Sequence, residues 1–400
     1  MVTVATMFAN AAAYGMSLVA ARLLPPAEFG SFGALLSLSI VASTVAIACQ
    51  TVAARRVAAH PGATAAHEGE VRTLGLASSG VLLAVALVLT PPSSILLHVS
   101  GLAAGAVLTS VAVSVTGFTA LGVLQGRQSY VRFGVAYSAL AGLRAVGTIV
   151  GAAVTPTVEA AAVGMLAGTV VGTVAAVACG RRAAPRRRPP GDAVRELGRN
   201  VGSMLGLYVF INLDVVLARV YLAPHASGTY AVGSLVSKIA FFLPMSVITV
   251  LFPRMAASAT HGYRRLAITA TAAIGLVFTA VCALGAGIVL DLAGGDAYAP
   301  LRPHLWMFAL QGSIFAVAQA AMLTRLASRR ARAALPVWLT TVALALGVTL
   351  FWHGSVVEIV TVSLVAATVL VAALASDRGA RETTPSDDGT PVAEHPSSRT

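Results

Sequence analysis

Three ionisable side chains stand inside long apolar runs: Arg144 in "SALAGLRAVGTIVG", Asp214 in "LYVFINLDVVLA" and Lys238 in "SLVSKIAFFLP". Lys238 is the only lysine in the chain; every other basic residue is an arginine. A charge at the centre of a bilayer costs at least about 2.5–3.5 kcal/mol on insertion scales, so each of the three asks for a reason. A guanidinium is a planar fork of donors that matches phosphate, and an ammonium is a compact point charge. A buried carboxylate can take up a proton or a sodium ion. Together the three are candidates for an anion site made by Arg144 and Lys238, with Asp214 as an ion-coupling group. Asp214 and Lys238 could also simply pair, which is weak evidence for stability because desolvation offsets the Coulomb gain. Arg144 has no acidic residue near it in the apolar runs of its own half, so it faces water, an anion, or Asp214 across the molecule.

Other polar residues share these runs. Asn212 is two residues before Asp214 and so points elsewhere on the helix. Ser234 is one turn from Lys238 and shares its face. Gln311, Phe315 and Gln319 form one stripe, and Tyr208 offers a ring on which a sugar can stack. Asn212, Gln311 and Gln319 are candidate substrate ligands alongside the two bases, although amides also bridge helices in membranes.

The elements that hold these residues follow from composition. Hydrophobic residues make up 57% of the 400-residue chain and charged residues only 10%, with a mean hydropathy of +0.84. Soluble domains carry about 25% charged residues, so this chain must dissolve in a bilayer. Runs of about 20 mostly apolar residues mark spanning helices. Twelve such runs are predicted, roughly 3–21, 31–53, 73–96, 101–124, 132–154, 158–179, 201–222, 227–252, 266–290, 303–325, 333–352 and 355–375. The segment "PPSSILLHVSG" supplies the turn between the third and fourth. Arg144, Asp214 and Lys238 then lie about eight to eleven residues from one end of their helices, at a nearly common depth of ~12–17 Å.

Basic residues are retained on the cytoplasmic side. They gather in alternate loops, among them Arg55, Arg56 and Arg72, then Arg127 and Arg132, then "GRRAAPRRRPPGDAVRELGR". The intervening loops hold only Arg22, Arg219 and Arg302. Both termini are therefore expected in the cytoplasm. The net charge of +12 is scattered among these loops, not gathered on one face, which argues against a nucleic-acid partner.

The fold class expected is an all-α integral membrane protein of about twelve spans in two six-helix lobes. The lobes are 1–180 and 201–375, the basic cytoplasmic linker is 181–200, and 376–400 reads as a disordered tail. A shift of 198 residues lays "LLPPAEFGSFGALLSLS" over "YLAPHASGTYAVGSLVS", matching Pro26 to Pro224, Gly30 to Gly228 and Ser39 to Ser237. Parallel repeats of this kind imply two bundles about an axis along the membrane normal. In that register Lys238 falls on Ile40, so the lysine departs from the repeat.

No nucleophile elbow, phosphate-binding glycine loop or paired-histidine metal motif occurs, and the loops between spans on the non-cytoplasmic side are short, so no enzyme is expected. A membrane sugar polymerase or ligase would want a large outer loop. Cys49, Cys179 and Cys282 all fall in apolar runs with neither zinc nor disulfide spacing. No cofactor or metal is expected beyond possible coupling to protons or sodium.

"AARLLPPAEFGSFGALLSLS" with "QTVAARRVA" resembles the opening of bacterial polysaccharide, or O-antigen-type (Wzx), flippases. "INLDVVLARVYLAPHASGTYAVGSLVSKIAFFLP" resembles their seventh and eighth helices. These flippases belong to the multidrug/oligosaccharidyl-lipid/polysaccharide exporter superfamily. The resemblance implies two lobes around a polar cavity, and movement of an anionic lipid-linked sugar across the cell membrane by alternating access. Membrane lipids and polysaccharide-assembly enzymes are the partners it implies. Lipid II flippases of the superfamily typically have 14 spans and basic residues in the first helix; here twelve runs and an uncharged first helix disfavour the cell-wall precursor. The alternatives are an ion-coupled multidrug exporter of the same superfamily and a non-transporting membrane scaffold.

Overall fold

The computed structural model describes residues 2–60, 64–180, 191–244, 261–327 and 334–376. Within them the chain forms fourteen α-helices and one 3₁₀ stretch, with no strand. They are α1 (Val2–Leu23), α2 (Pro26–Ala42), α3 (Thr44–Ala59), α4 (Thr64–Leu96), α5 (Gly101–Gly126), α6 (Tyr130–Val154) and α7 (Val158–Gly180). Then follow α8 (Gly191–Tyr221), α9 (Pro224–Phe242), α10 (His261–Leu284), α11 (Ala286–Ala293), the 3₁₀ stretch Gly295–His304, α12 (Leu305–Ala327), α13 (Ala334–Leu350) and α14 (Val356–Ser376). The core of the predicted linker, 181–190, the end of the eighth run and the tail beyond Ser376 lie outside the described residues.

Among these, nine helical segments are long and apolar enough to cross a membrane, and a tenth if α10 and α11 count as one bent span. The chain is a multi-pass membrane protein. Within the described residues every predicted run falls on helix, but two are drawn differently. The second begins at Pro26, where proline suits a first helical turn, and it breaks at Ser43. There the hydroxyls of Ser39, Ser43 and Thr44 donate back to the carbonyls of Leu36, Ile40 and Val41, which competes with the regular ladder. The ninth run stops at Leu284 and turns by 83° at Gly285 into α11. Between the third and fourth runs the turn falls within "PPSSILLHVSG" as expected, after Leu96, with Pro91 and Pro92 inside α4. That turn is made by His98, at φ 50, and by Ser100, whose hydroxyl caps α5 at Ala103 N, 3.2 Å away.

The ends of the bundle are distinct. At one end Arg127 pairs with Glu68, Arg55 and Arg56 pair with Glu196, and Arg56 reaches Asp192 at 2.6 Å. This basic end collects the C-termini of α3, α5 and α7 with the N-termini of α4 and α8. At the opposite end the buried Arg219 donates to the carbonyls of Leu97 (2.8 Å) and His98 (3.1 Å) and to Ser227 Oγ (3.2 Å). Arg55, Arg56 and Arg127 thus share one end of the bundle, and Arg219 stands at the other. Glu68 is only 2% exposed, so removing its charge strands a buried guanidinium. Glu68→Gln is expected to cost about 3–5 kcal/mol, whereas neutralising both partners together should cost less than the sum. Thermal unfolding of the detergent-solubilised protein measures both.

Helices α1–α7 pack chiefly on one another, as do α8–α14; α2 joins the two groups through α8 and α9, and α3 packs on α8 at the basic end. The join is where the sequence repeat shows itself. Pro25 and Ala223, the residues before α2 and α9, have nearly the same dihedrals (φ −54, ψ 149 and φ −55, ψ 151). Gly30 lies against Gly228 and Gly33 against Ala231, so positions matched by the repeat touch each other. Equivalent residues meet in this way only on the axis that relates them. A Cβ at Gly228 would stand 1.9 Å from the Pro26 carbonyl oxygen. Gly228→Val is therefore expected to push α2 from α9 and lose about 1–3 kcal/mol. An unchanged thermal midpoint would contradict the contact.

Candidate functional site

Beyond the Gly30–Gly228 contact, towards the basic end, α2 and α9 part. A cavity of ≈ 280 Å³ opens between them, walled also by α1, α5, α6, α7 and α8. Both cations of the sequence argument line it, one from each half: Arg144 on α6 and Lys238 on α9. Among the described residues no Asp or Glu lines it.

The two cations rest on neutral groups. Lys238 Nζ donates to Ser37 Oγ at 3.0 Å. Arg144 Nη2 lies 3.4 Å from Ser39 Oγ and 3.5 Å from Met165 Sδ, and its buried Nε has no partner. Among the described residues neither makes an ion pair. Two cations in a low-dielectric pocket, with donors to spare and no ion-pair partner among the described residues, can hold an anion. Ser37 and Ser39 belong to α2, so one helix carries the resting partners of bases from both halves.

Asp214 is elsewhere. It is 2% exposed and does not line the cavity. Its Oδ2 accepts from Tyr230 Oη at 2.8 Å and from Gln311 Nε2 at 2.7 Å, while Oδ1 accepts from Val215 N at 2.8 Å. Gln311 Nε2 also reaches Ser363 Oγ at 2.6 Å. The carboxylate thus ties together α8, α9, α12 and α14 through neutral donors. The expected pairing of Asp214 with Lys238, or with Arg144, is not formed. Counting residues along each helix puts Asp214 and Lys238 level, but α9 starts at Pro224, and Asp214 meets it at Tyr230. Lys238 is eight residues further along, ~12 Å by helical rise.

The polar candidates divide the same way. Asn212 lines the cavity, donates to Tyr208 O at 2.9 Å and leaves its buried Oδ1 unpartnered, an acceptor open to a ligand hydroxyl. Tyr208 and Ser234 also line it. Gln311 and Gln319 do not, which corrects their reading as cavity ligands. Their helix α12 packs behind α9, and the stripe faces the interior of the second half, where Phe315 meets Phe210 edge-on at 5.5 Å. The buried Gln319 has an unpartnered Oε1 there.

Sequence reasoning missed α1. Asn10, Tyr14 and Ser17 line the cavity from that helix, and Tyr14 Oη donates to Lys238 O at 3.4 Å. Their spacing of four and then three residues was the signal: one polar face on a helix whose one charge, Arg22, lies in its last turn. Aromatic rings concentrate in the cavity wall too, with Phe118 against Tyr137 (6.3 Å), Tyr14 against Phe242 (6.0 Å) and Phe242 against Phe241 (4.7 Å).

An all-helical membrane bundle with paired entry helices and a polar cavity between its halves defines a fold shared with known transporters. The lipid II flippase MurJ, in an inward closed conformation, is similar with a TM-score of 0.77 and 10% identity, over 93% of this chain and 86% of that one. A multidrug resistance MATE family transporter of the MOP superfamily is similar in its inward-facing conformation, with a TM-score of 0.68 and 15% identity over 90% and 94% of the two chains. An outward-facing MATE transporter gives a TM-score of 0.61 at 12% identity, over 93% and 92%. No protein-family model and no curated protein matches the sequence.

Proposed function

We propose that the chain is a flippase that moves an anionic, lipid-linked oligosaccharide or polysaccharide intermediate across the cell membrane by alternating access. The observation that carries this reading is the cavity with two cations and no carboxylate. Arg144 and Lys238 take the phosphate or pyrophosphate of the carrier; Asn212, Ser234 and the aromatic wall take the sugar. Lobes 1–180 and 201–375 rock about the α2–α9 contact, joined by the linker 181–200. With the basic end in the cytoplasm, the Gly30–Gly228 contact closes the outer side and the cavity belongs to the inner side. The likeness to two inward conformations supports that assignment.

Asp214 is the ion-coupling group, for a proton or for sodium. It is buried, it is ionisable, and its hydrogen bonds come only from neutral donors, so a cation there compensates a charge that Lys238 meets only at a distance. Membrane lipids surround the chain, and polysaccharide-assembly enzymes supply and consume its substrate. No step of catalysis is assigned to it.

A second reading has an observation of its own. The aromatic wall would also suit a hydrophobic drug, as in an ion-coupled multidrug exporter. The cavity's positive charge opposes the cationic compounds such a site would take, which is why the anionic reading stands first. A non-transporting scaffold predicts that neutral replacement of Arg144, Asp214 and Lys238 leaves function intact. The discriminating experiment is export of the cell's own polysaccharide in a strain whose only copy carries both Arg144→Ala and Lys238→Ala. Loss of export with normal insertion supports the flippase; undiminished export sinks it.

A further inference from the structure

Helix α9 carries a cavity cation at one level and a ligand of the buried carboxylate at another. Lys238 faces the cavity, and two turns earlier Tyr230 donates its hydroxyl to Asp214 Oδ2 at 2.8 Å. The tyrosine is fully buried, with its ring edge-on to Phe308 at 5.0 Å. Between these levels α9 has little room to bend. Its backbone is pressed by α2 at Gly228, and on its other side a Cβ at Gly312 of α12 would stand 1.9 Å from Ser237 O. A displacement at Tyr230 is therefore passed along a stiff rod to Lys238, whose ammonium rests on Ser37 Oγ, a hydroxyl of the first half.

We infer that Tyr230 is a positioning residue that transmits the occupancy of Asp214 to Lys238. This deepens the proposed function and rests on its assignment of Asp214 as the ion site and of the cavity as the anion site. Oδ2 already accepts two hydrogen bonds, from Tyr230 and Gln311, so an arriving proton or sodium ion finds its free acceptor position on Oδ1 or displaces one of those donors. Either way the negative charge at Oδ2 falls. A hydrogen bond to a charged acceptor is about twice as strong as one to a neutral acceptor, so the Tyr230 tether slackens. α9 is then free to shift against α8, and Lys238 exchanges Ser37 for an anion or the reverse.

Linkage makes this measurable without knowing the natural substrate. Purified full-length protein is titrated with inorganic pyrophosphate, with and without sodium and at two pH values, and the ratio of the two affinities is the coupling. A wild-type ratio of about fivefold or more is expected for one of the two ions. Tyr230→Phe keeps the edge contact with Phe308 and removes only the donated hydrogen bond; its ratio should fall to about one, with pyrophosphate still bound. Ser37→Ala, a second variant, takes away the group Lys238 exchanges with and should shrink the ratio as well. Retention of the wild-type ratio by either variant overturns the inference and leaves the cavity reading standing. A wild-type ratio of one with normal pyrophosphate binding overturns both the inference and the ion-site assignment. Absence of pyrophosphate binding in the wild type overturns the anion cavity itself, and the inference with it.

Discussion

Replacing Arg144 or Lys238 by alanine is expected to weaken inorganic pyrophosphate binding by about tenfold to a hundredfold each, without unfolding the protein. The magnitude follows from hydrogen bonds to charged groups, worth about 1.5–3 kcal/mol, where about 1.4 kcal/mol is a factor of ten. The retained fold follows from the resting partners. Lys238 leans on Ser37, and Arg144 on Ser39 and Met165, so truncating either base leaves no stranded charge behind. Each loss also relieves a membrane insertion cost of at least about 2.5 kcal/mol, so thermal stability should hold or rise. The conservative exchanges separate the two roles. Lys238→Arg should keep much of the binding, while Arg144→Lys loses the planar fork and should behave more like the alanine variant. Titration calorimetry reads the affinities, and a thermal melt of the same samples reads the fold. Variants that melt normally and bind pyrophosphate as the wild type does would remove both bases from the site.

Replacing Asp214 by asparagine is expected to leave transport running downhill but insensitive to the ion gradient. The amide is nearly isosteric with the carboxylate. Its oxygen can still accept from Tyr230, though its NH₂ now opposes one of the donors that met the second oxygen. What is lost is the charge that a proton or sodium ion would neutralise. In vesicles, wild-type transport should accelerate several-fold when a gradient of the coupling ion is imposed, and the Asp214→Asn rate should be flat across the same gradients. Gradient-driven acceleration by the variant would show that the coupling ion binds elsewhere. Pyrophosphate should still bind, because Asp214 is outside the cavity, but its affinity should no longer respond to the coupling ion and should sit near that of the ion-occupied wild type.

Much of the fold was legible because the bilayer imposes long apolar runs, and within the described residues those runs fell on helices. What was misdrawn depended on local chemistry. The break at Ser43 comes from three hydroxyls bonding back to their own helix, and the 83° turn at Gly285 interrupts a run that stays apolar on both sides. Hydropathy averages over both. The repeat was legible in Pro26 and Pro224, and its matched glycines Gly30 and Gly228 lie against each other where the two halves meet.

The site was legible in part. An isolated charge in an apolar run is visible from composition, so Arg144, Asp214 and Lys238 stood out at once. Which of them share a space is a matter of rotation about each helix and of which helix lies in front. Asp214 and Lys238 sit on adjacent helices, yet one faces α12 and the other α2. Gln311 was singled out for the cavity but serves Asp214 behind it. Tyr230 carried no signal, since a tyrosine in an apolar run is most often a packing residue. The polar face of α1 was present in the spacing of Asn10, Tyr14 and Ser17, hidden because none of them is charged.

The decisive measurement is movement of a lipid between leaflets. Purified protein in vesicles is given a short-chain fluorescent glycolipid with a pyrophosphate between lipid and sugar, and its appearance in the opposite leaflet is followed by a membrane-impermeant quencher. The wild type should move it, the double variant Arg144→Ala with Lys238→Ala should not, and the same glycolipid lacking the pyrophosphate should stay in its leaflet. Equal movement of the charged and uncharged lipids, or movement unaffected by the double variant, would contradict a cavity built to carry an anion across the membrane.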